Sequence, residues 1–389
     1  MRTQVAVVGA GPAGSLLAHL LDRAGIATIV VERQSRDYVL SRIRAGVLEP
    51  GTVDLLQNSG LGDRLMAEGH VHDTINIAWQ ARELLSVDTF DAVGKRMMAY
   101  GQTKIQEDLY AASDAAGREI VFEAEDVELH GIDTESPFVT FGKDGIAERI
   151  DCDYIAGCDG FHGVSRPMIP NRTEYEKEYP FGWLGILSET PPMPALVYAN
   201  HERGFALCSM RNPMLSRYYV QCDSDDSIDN WSDDRFWEEL LARFPPAIRD
   251  QIVTGPSIEK SIAPLRSFVS EPMAYGRLFL AGDAAHIVPP TGAKGLNLAV
   301  ADVHYLSLAL RAHYDDGDDS KLDQYSATAL RRVWSAVRFS WWLTMLLHKF
   351  PSQTAFGQRA QEQELAYLMS STHAQNSMCE QYIGLPYEW

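Results

Sequence analysis

Three glycines and an acid carry the first chemical signal in the chain. Gly9, Gly11 and Gly14 lie in Val5-Ala-Val-Val-Gly9-Ala-Gly11-Pro-Ala-Gly14, and Glu32 ends the next apolar run, Ile26-Ala-Thr-Ile-Val-Val-Glu32. A strand that enters a glycine-rich turn and opens a helix presents free N–H groups and a positive dipole end to phosphates. The spacing suits a dinucleotide: the middle glycine lets a pyrophosphate reach the backbone, and the acid accepts from a ribose diol. A second signal is Ser209-Met-Arg211 with Tyr219. A guanidinium grips a carboxylate through two parallel hydrogen bonds, and two hydroxyls can complete the set. Positions 209 and 211 share a strand face by period two, and position 219 on the next strand can face them. An exposed strand arginine with no ligand would look the same at this level. A third signal is a run of four arginines, Arg33, Arg36, Arg42 and Arg44, within twelve residues. It follows the second strand, so it reads either as a phosphate site or as a solvated basic loop.

These residues need elements to hold them. A chain of 389 residues exceeds what one core usually serves, and two domains are expected. With 46% hydrophobic residues it has the material for a large core, and disorder is not expected. Its net charge of −19 argues against nucleic acid or an anionic membrane as partner. Five cysteines without a CxxC pair point to a reducing, cytoplasmic setting rather than a disulfide scaffold. No metal site is expected, since His162, His201 and His286 lack partners at ligand spacing. The N-terminal apolar run reads as a strand, not a secretory leader. The greasiest stretch, residues 340–347, is far short of the ~20 residues that span a bilayer, and reads as a buried or dimer-facing helix.

Residues 1–60 predict β-α-β, then a loop over 33–44 and a helix over about 49–58. Asp151-Cys-Asp-Tyr-Ile-Ala-Gly-Cys-Asp159-Gly160 reads as a strand running into a turn. Strand-like runs cluster at 196–199, 205–211 and 217–222, and a helix should start after Ser232. A buried strand ends at Gly282-Asp283, and glycine and proline then hand over to a helix near Gly295. From about residue 321 the chain reads as helical. The expected fold class is α/β: a Rossmann-like nucleotide domain (1–72, 97–175 and 266–389, with C-terminal helices) and an α+β insertion. The insertion, 73–96 and 176–265, is the expected β-sheet substrate domain.

In order along the chain, Gly9–Gly14 with Glu32, Cys158-Asp159-Gly160 with Arg166, and Gly282-Asp283 resemble the motifs of the single-component FAD-dependent aromatic hydroxylases. Ser41-Arg-Ile-Arg-Ala-Gly-Val-Leu, Tyr154 to Gly163, Ser261 to Phe268 and Ala281 to Asn297 carry the likeness further. It covers essentially the whole chain, through Tyr382-Ile-Gly-Leu-Pro-Tyr387. The resemblance implies FAD and NADPH as cofactors, O2 and a small aromatic acid as substrates, and a homodimer. The implied reaction is hydroxylation of 4-hydroxybenzoate at its 3-position. The alternatives are the same chemistry on another 4-hydroxylated benzoate, such as 3,4-dihydroxybenzoate, and a flavin-dependent reductase.

By the same resemblance Arg211, Ser209 and Tyr219 hold the substrate carboxylate. Tyr198, Tyr382 and His72 carry the phenol proton, and the Pro290 carbonyl accepts from the substrate hydroxyl. Tyr198, Tyr382 and His72 do not stand out from the residue pattern alone. Glu32 would hold the adenosine ribose, Arg44 the pyrophosphate and Asp283 the ribityl chain. Gln102 and Asn297 would hold polar flavin groups, beside the helix terminus at Gly295 and Leu296. Arg42 and Asp159 join the cofactor set, and Arg217 would steer the flavin between two positions. Arg33, Gln34, Tyr38, His162, Arg166 and Arg266 would meet NADPH, with Arg36 as an extra base favouring a 2′-phosphate. Only one glycine-rich unit is present, which argues against a reductase with two dinucleotide domains.

Overall fold

Val5–Val8 is the axis of the nucleotide side. It pairs in parallel with Thr28–Val31 on one edge and Tyr154–Gly157 on the other, and all four of its residues are buried. A continuous apolar run is what a parallel strand covered on both faces requires. The six-stranded sheet is completed by Ile120–Val121 at one end and by Leu278–Leu280 and Ala274–Tyr275 at the other. The helix Pro12–Arg23 packs on this sheet against the helices Gln102–Ala115 and Gly295–Asp316. The computed structural model describes residues 1–42 and 46–389, so Arg44 lies outside the described residues.

The basic segment is not wholly a loop. Arg36–Ser41 forms a short helix because Ser35 caps it, its Oγ accepting from the Tyr38 N–H at 3.2 Å. Arg36 then forks onto Asp114, at 3.0 and 2.6 Å. The extra base expected to favour a 2′-phosphate is thus already paired with a carboxylate. The helix expected over 49–58 is present as Pro50–Asn58.

The second sheet has eight strands in the order His286–Ile287, Ser257–Glu271, Thr173–Ser188, Leu215–Asp223, Ala206–Asn212, Val197–Asn200, Thr74–Trp79, Glu83–Asp88. Its central strands bury residues on both faces, which carry two separate cores. Trp183, Tyr198, Phe205 and Leu207 pack with Phe339, Leu343, Leu346 and Tyr382 of the C-terminal helices. Leu184, Ile186, Tyr218 and Val220 pack instead with Phe236, Trp237 and Leu240 of the helix Asp233–Leu241. That helix begins where expected, with Ser232 Oγ accepting from the Arg235 N–H at 3.1 Å. The strands Thr173–Ser188 and Ser257–Glu271 pair from Thr173 opposite Glu271 to Ser188 opposite Ser257. They run straight through the expected boundaries at 175 and 265, because one long twisted ribbon joins the two halves.

His348 ties the helix Ser320–Leu347 to this sheet. Trp183 Nε1–H donates to its Nε2 at 2.7 Å, and its Nδ1 lies 2.9 Å from the Thr344 carbonyl, to which it donates. The ring stacks on Phe205 at 4.3 Å and on Phe181 at 4.7 Å. Burial pushes its pKa down to about 3, so one neutral tautomer persists. His348→Phe keeps the stacking and strands the Trp183 N–H. The expected loss is about 2 kcal/mol of unfolding free energy, read by urea denaturation; an unchanged midpoint would remove His348 from this role.

Candidate functional site

The glycine-rich turn is locked from several directions. Gly9 has φ +102, which only glycine adopts readily, and a Cβ on Gly14 would drive into the Gly9 carbonyl. The Ala10 carbonyl accepts from Ser15 Oγ (2.9 Å), Gln106 Nε2 (3.1 Å) and Tyr110 Oη (2.8 Å). The Ala10 N–H donates to Glu32 Oε2 at 2.8 Å, and the Gln34 N–H donates to Oε1 at 2.8 Å. Glu32 is therefore held rigid with a lone pair left on each oxygen. Above Gly11 no described atom lies within 4 Å of a would-be Cβ. The helix it opens has no side-chain cap, and its first intrahelical bond is Ser15 N–H to Gly11 carbonyl at 2.9 Å. The N–H groups of Ala13 and Gly14 thus point out unspent, as a pyrophosphate site requires.

A second uncapped terminus opens the helix Gly295–Asp316, whose first bond is Leu298 N–H to Lys294 carbonyl at 2.9 Å. The backbone N–H groups of Gly295, Leu296 and Asn297 have no partner within the helix. The Asn297 side chain is saturated. Its Oδ1 accepts from Glu49 N (2.9 Å) and Thr52 Oγ1 (2.8 Å), and its Nδ2 donates to the Val47 and Ala293 carbonyls (2.9 Å each). Its backbone amide is the group left to meet a flavin. Gln102 is the first residue of a third uncapped helix. Asp283 is exposed at the Gly282–Ala284 turn and has no hydrogen-bond partner among the described residues. Asp302 anchors that turn, accepting from the Gly282 N–H at 2.9 Å and from His286 Nε2 at 2.6 Å. Asp159 turns back into its own loop: its Oδ2 accepts from both the N–H and the Oγ of Ser165 at 2.9 Å. It shapes the turn that carries His162 and Arg166. The free amides, the unblocked Gly11, the rigid Glu32 and the unpaired Asp283 together fit a flavin dinucleotide.

On the second sheet Ser209 lies directly opposite Arg217, and Tyr219 opposite Leu207. Arg217 is spoken for, donating to Glu259 (2.8 Å) and Ser261 (2.8 Å). Arg211 is not. Its Nη2 donates to Tyr219 Oη at 3.2 Å, its Nε is buried without a partner, and no carboxylate pairs with it among the described residues. Burial pushes its pKa down, as expected of a cation awaiting an anion. Tyr219 Oη also accepts from Arg217 Nε at 3.3 Å. With two guanidiniums donating to it, the phenol's own proton is free for a third group. Ser209 Oγ presently donates to the Arg217 carbonyl at 2.7 Å.

Tyr198, Tyr382 and His72, far apart in sequence, form one hydrogen-bonded line. Tyr198 Oη is 3.3 Å from Tyr382 Oη, which is 3.2 Å from His72 Nε2. The two tyrosines are 2% and 1% exposed, while His72 sits half-buried on the strand His70–His72. Burial raises both phenols, Tyr198 well above its usual value and Tyr382 to about 12, and lowers His72 to about 4. At neutral pH the line therefore consists of two protonated tyrosines and a neutral imidazole. Tyr198 also donates to the Thr291 carbonyl at 3.0 Å, next to Pro290, whose carbonyl accepts from Ala293 at 3.0 Å and keeps a second lone pair. Thr291 escaped the sequence reading, and so did Gln106, Tyr110 and Asp302. Each is an ordinary residue until the chain folds.

A profile described as an FAD binding domain matches residues 2–340. The p-hydroxybenzoate hydroxylase of Acinetobacter baylyi is 51% identical over 100% of this chain and 96% of its own. The chain belongs to the p-hydroxybenzoate hydroxylase family. As a member it is an FAD-dependent aromatic monooxygenase. A more distant relative is the 3-(3-hydroxy-phenyl)propionate/3-hydroxycinnamic acid hydroxylase of Mycolicibacterium smegmatis. It is 26% identical over 83% of this chain, which spans 57% of that longer protein. Among solved structures, p-nitrophenol 4-monooxygenase of Pseudomonas putida superposes with TM-score 0.84 at 19% identity, each chain covered to 99%. At that identity the likeness speaks for the fold.

The remaining residues of this hydroxylase fall in two groups. Arg166 and Arg266 flank the Phe161 ring at 4.7 and 4.8 Å, with His162 exposed beside it. Arg166 also donates to the Ala284 carbonyl at 3.2 Å, and Arg266 lies 3.3 Å from Glu176. The other group surrounds the helix Arg36–Ser41: Gln34 half-buried, Arg33 exposed, and Arg42 over the exposed ring of Tyr38 at 5.7 Å. Arg33 makes no ion pair among the described residues.

Proposed function

We propose that this hydroxylase converts 4-hydroxybenzoate, NADPH, O2 and a proton into 3,4-dihydroxybenzoate, NADP+ and water. The observation that carries this reading is the line Tyr198–Tyr382–His72 at 3.3 and 3.2 Å, with Tyr198 paired opposite Leu207 on the strand whose same face carries Ser209 and Arg211, the latter without a carboxylate partner among the described residues. One end suits a benzoate carboxylate and the other a phenol. Arg211 would fork onto the carboxylate, with the Tyr219 proton and a rotated Ser209 hydroxyl completing the grip. Pro290 would accept from the substrate hydroxyl. A free phenol of pKa ~10 is mostly protonated at neutral pH, so the substrate proton must leave before the ring is electron-rich enough for an electrophilic oxygen. Tyr198 donates to the resulting phenolate while Tyr382 and neutral His72 pass the proton outward. Bound FAD supplies hydride acceptance and oxygen activation. Glu32, the amides at Ala13, Gly14 and Gly295–Asn297, and Asp283 would hold it, with Gln102 and Arg217 at its edge.

The reductant is proposed to be NADPH, held by Arg33, Gln34, Tyr38 and Arg42 at its phosphate end and by His162, Arg166 and Arg266 elsewhere. An unpaired arginine after the second strand favours a 2′-phosphate. Arg33→Ser should raise KM for NADPH about tenfold while leaving KM for NADH unchanged; parallel rises for both would remove Arg33 from phosphate recognition. A homodimer through the C-terminal helices is also proposed, supported by Trp334, Trp341 and Met345, exposed on one helix. The deciding experiment is NADPH oxidation by the FAD-loaded protein with and without 4-hydroxybenzoate. Strong stimulation with matching 3,4-dihydroxybenzoate supports the reading. Stimulation with hydrogen peroxide in place of product points to a related 4-hydroxylated benzoate.

A further inference from the structure

Gly185 lies on the strand Thr173–Ser188 directly opposite Tyr219 and, on its other side, opposite Ser261. A Cβ built on Gly185 would come within 2.6 Å of Tyr219 Cε1 and 2.7 Å of its Cδ1. Its φ is not in the left-handed region, so the backbone makes no demand for glycine there. The demand comes from the Tyr219 ring, whose edge Cδ1–Cε1 occupies the place a side chain at 185 would take. Trp183 stands 5.2 Å from that ring and the Arg217 guanidinium 5.3 Å from it. Tyr219 Oη is in turn the shared acceptor of Arg211 Nη2 at 3.2 Å and Arg217 Nε at 3.3 Å.

We propose that Gly185 is a positioning residue for substrate binding: its missing side chain lets the Tyr219 ring seat on the sheet and hold the Arg211 fork in place. This rests on the reading of Arg211 and Tyr219 as the carboxylate site. A methyl group at 185 forces the ring to retreat by about 1 Å to regain ordinary contact. A retreat of that size carries Oη beyond hydrogen-bonding reach of both arginines, whose contacts already lie near the long end. The fork then loses its brace and the substrate its phenol donor.

The test is Gly185→Ala, assayed for FAD content, KM for 4-hydroxybenzoate and kcat. The expected result is full FAD content, KM raised about tenfold, and kcat at saturation within about twofold of the parent. An unchanged KM, or a fall confined to kcat, overturns the proposal. In a Tyr219→Ala background the added Gly185→Ala should change nothing further, because the ring it displaces is gone; a second full rise in KM overturns the proposal. If Gly185→Ala alone yields no folded protein, recovery of FAD-containing protein in the double variant supports the role, and failure there too refutes it. Arg211→Lys separates the two levels: an unchanged KM in that variant sinks the carboxylate site itself. A raised KM there with none in Gly185→Ala sinks only Gly185.

Discussion

Tyr198→Phe should continue to oxidise NADPH in the presence of 4-hydroxybenzoate while product falls by about two orders of magnitude and hydrogen peroxide accumulates. Phenylalanine preserves the packing of the ring, whose centroid stands 6.3 Å from that of Phe205. It removes only the oxygen that bridges to Tyr382 at 3.3 Å and to the Thr291 carbonyl at 3.0 Å. Without that oxygen a bound phenol has no path for its proton toward His72 and no donor to favour the phenolate. Both tyrosines are held well above neutral, Tyr382 at about 12, so neither ionises to substitute for the relay. His72, pushed down to about 4, is neutral across the working range, which suits the proposed role of outer acceptor. The measurement is the ratio of 3,4-dihydroxybenzoate formed to NADPH consumed. Full coupling in the variant would take Tyr198 out of the mechanism.

Arg211→Lys should raise KM for 4-hydroxybenzoate on the order of 100-fold, with much less effect on kcat at saturation. The guanidinium is buried beside Tyr219 with its Nε unpartnered and no carboxylate neighbour among the described residues. A cation in that state binds an incoming carboxylate through two aligned hydrogen bonds, and a lysine offers a single point charge. It also cannot hold Tyr219 Oη and the substrate at once. Arg217, 2.8 Å from Glu259, is already compensated and does not take over. Steady-state KM, checked by calorimetric binding of 4-hydroxybenzoate, decides the matter; an unchanged KM would move the carboxylate elsewhere.

The strand, turn, helix and strand that open the nucleotide half were legible because their physics is local. Gly9, Gly11, Gly14 and Glu32 lie within 24 residues, and strand, turn and helix follow one another without interruption. Ser209, Arg211 and Tyr219 were legible for the same reason: two adjacent strands and period-two alternation bring them to one face. The helix Arg36–Ser41 was missed because a single serine cap decides it, and four arginines within twelve residues look like a loop. Asn297 was assigned by likeness to a polar contact. Its four hydrogen bonds reach residues 47, 49, 52 and 293, a saturation that sequence spacing does not reveal.

The amino-acid sequence by itself determined the first strand, the glycine-rich turn, the helix it opens and the second strand ending at Glu32, and it put Ser209, Arg211 and Tyr219 on one sheet face, since each of these depends on neighbours a few residues apart. Only the tertiary structure decided that Tyr198, Tyr382 and His72 form one line. Their positions are separated by 184 and 310 residues, and they meet because the last helices fold back over the second sheet. It likewise decided which arginine is free. Arg211 and Arg217 stand on adjacent strands, and what separates their charge states is that Glu259, from a strand two places away, lies against Arg217 and not against Arg211. Charge compensation is a property of the space around a residue, and the sequence does not say which side chains that space contains.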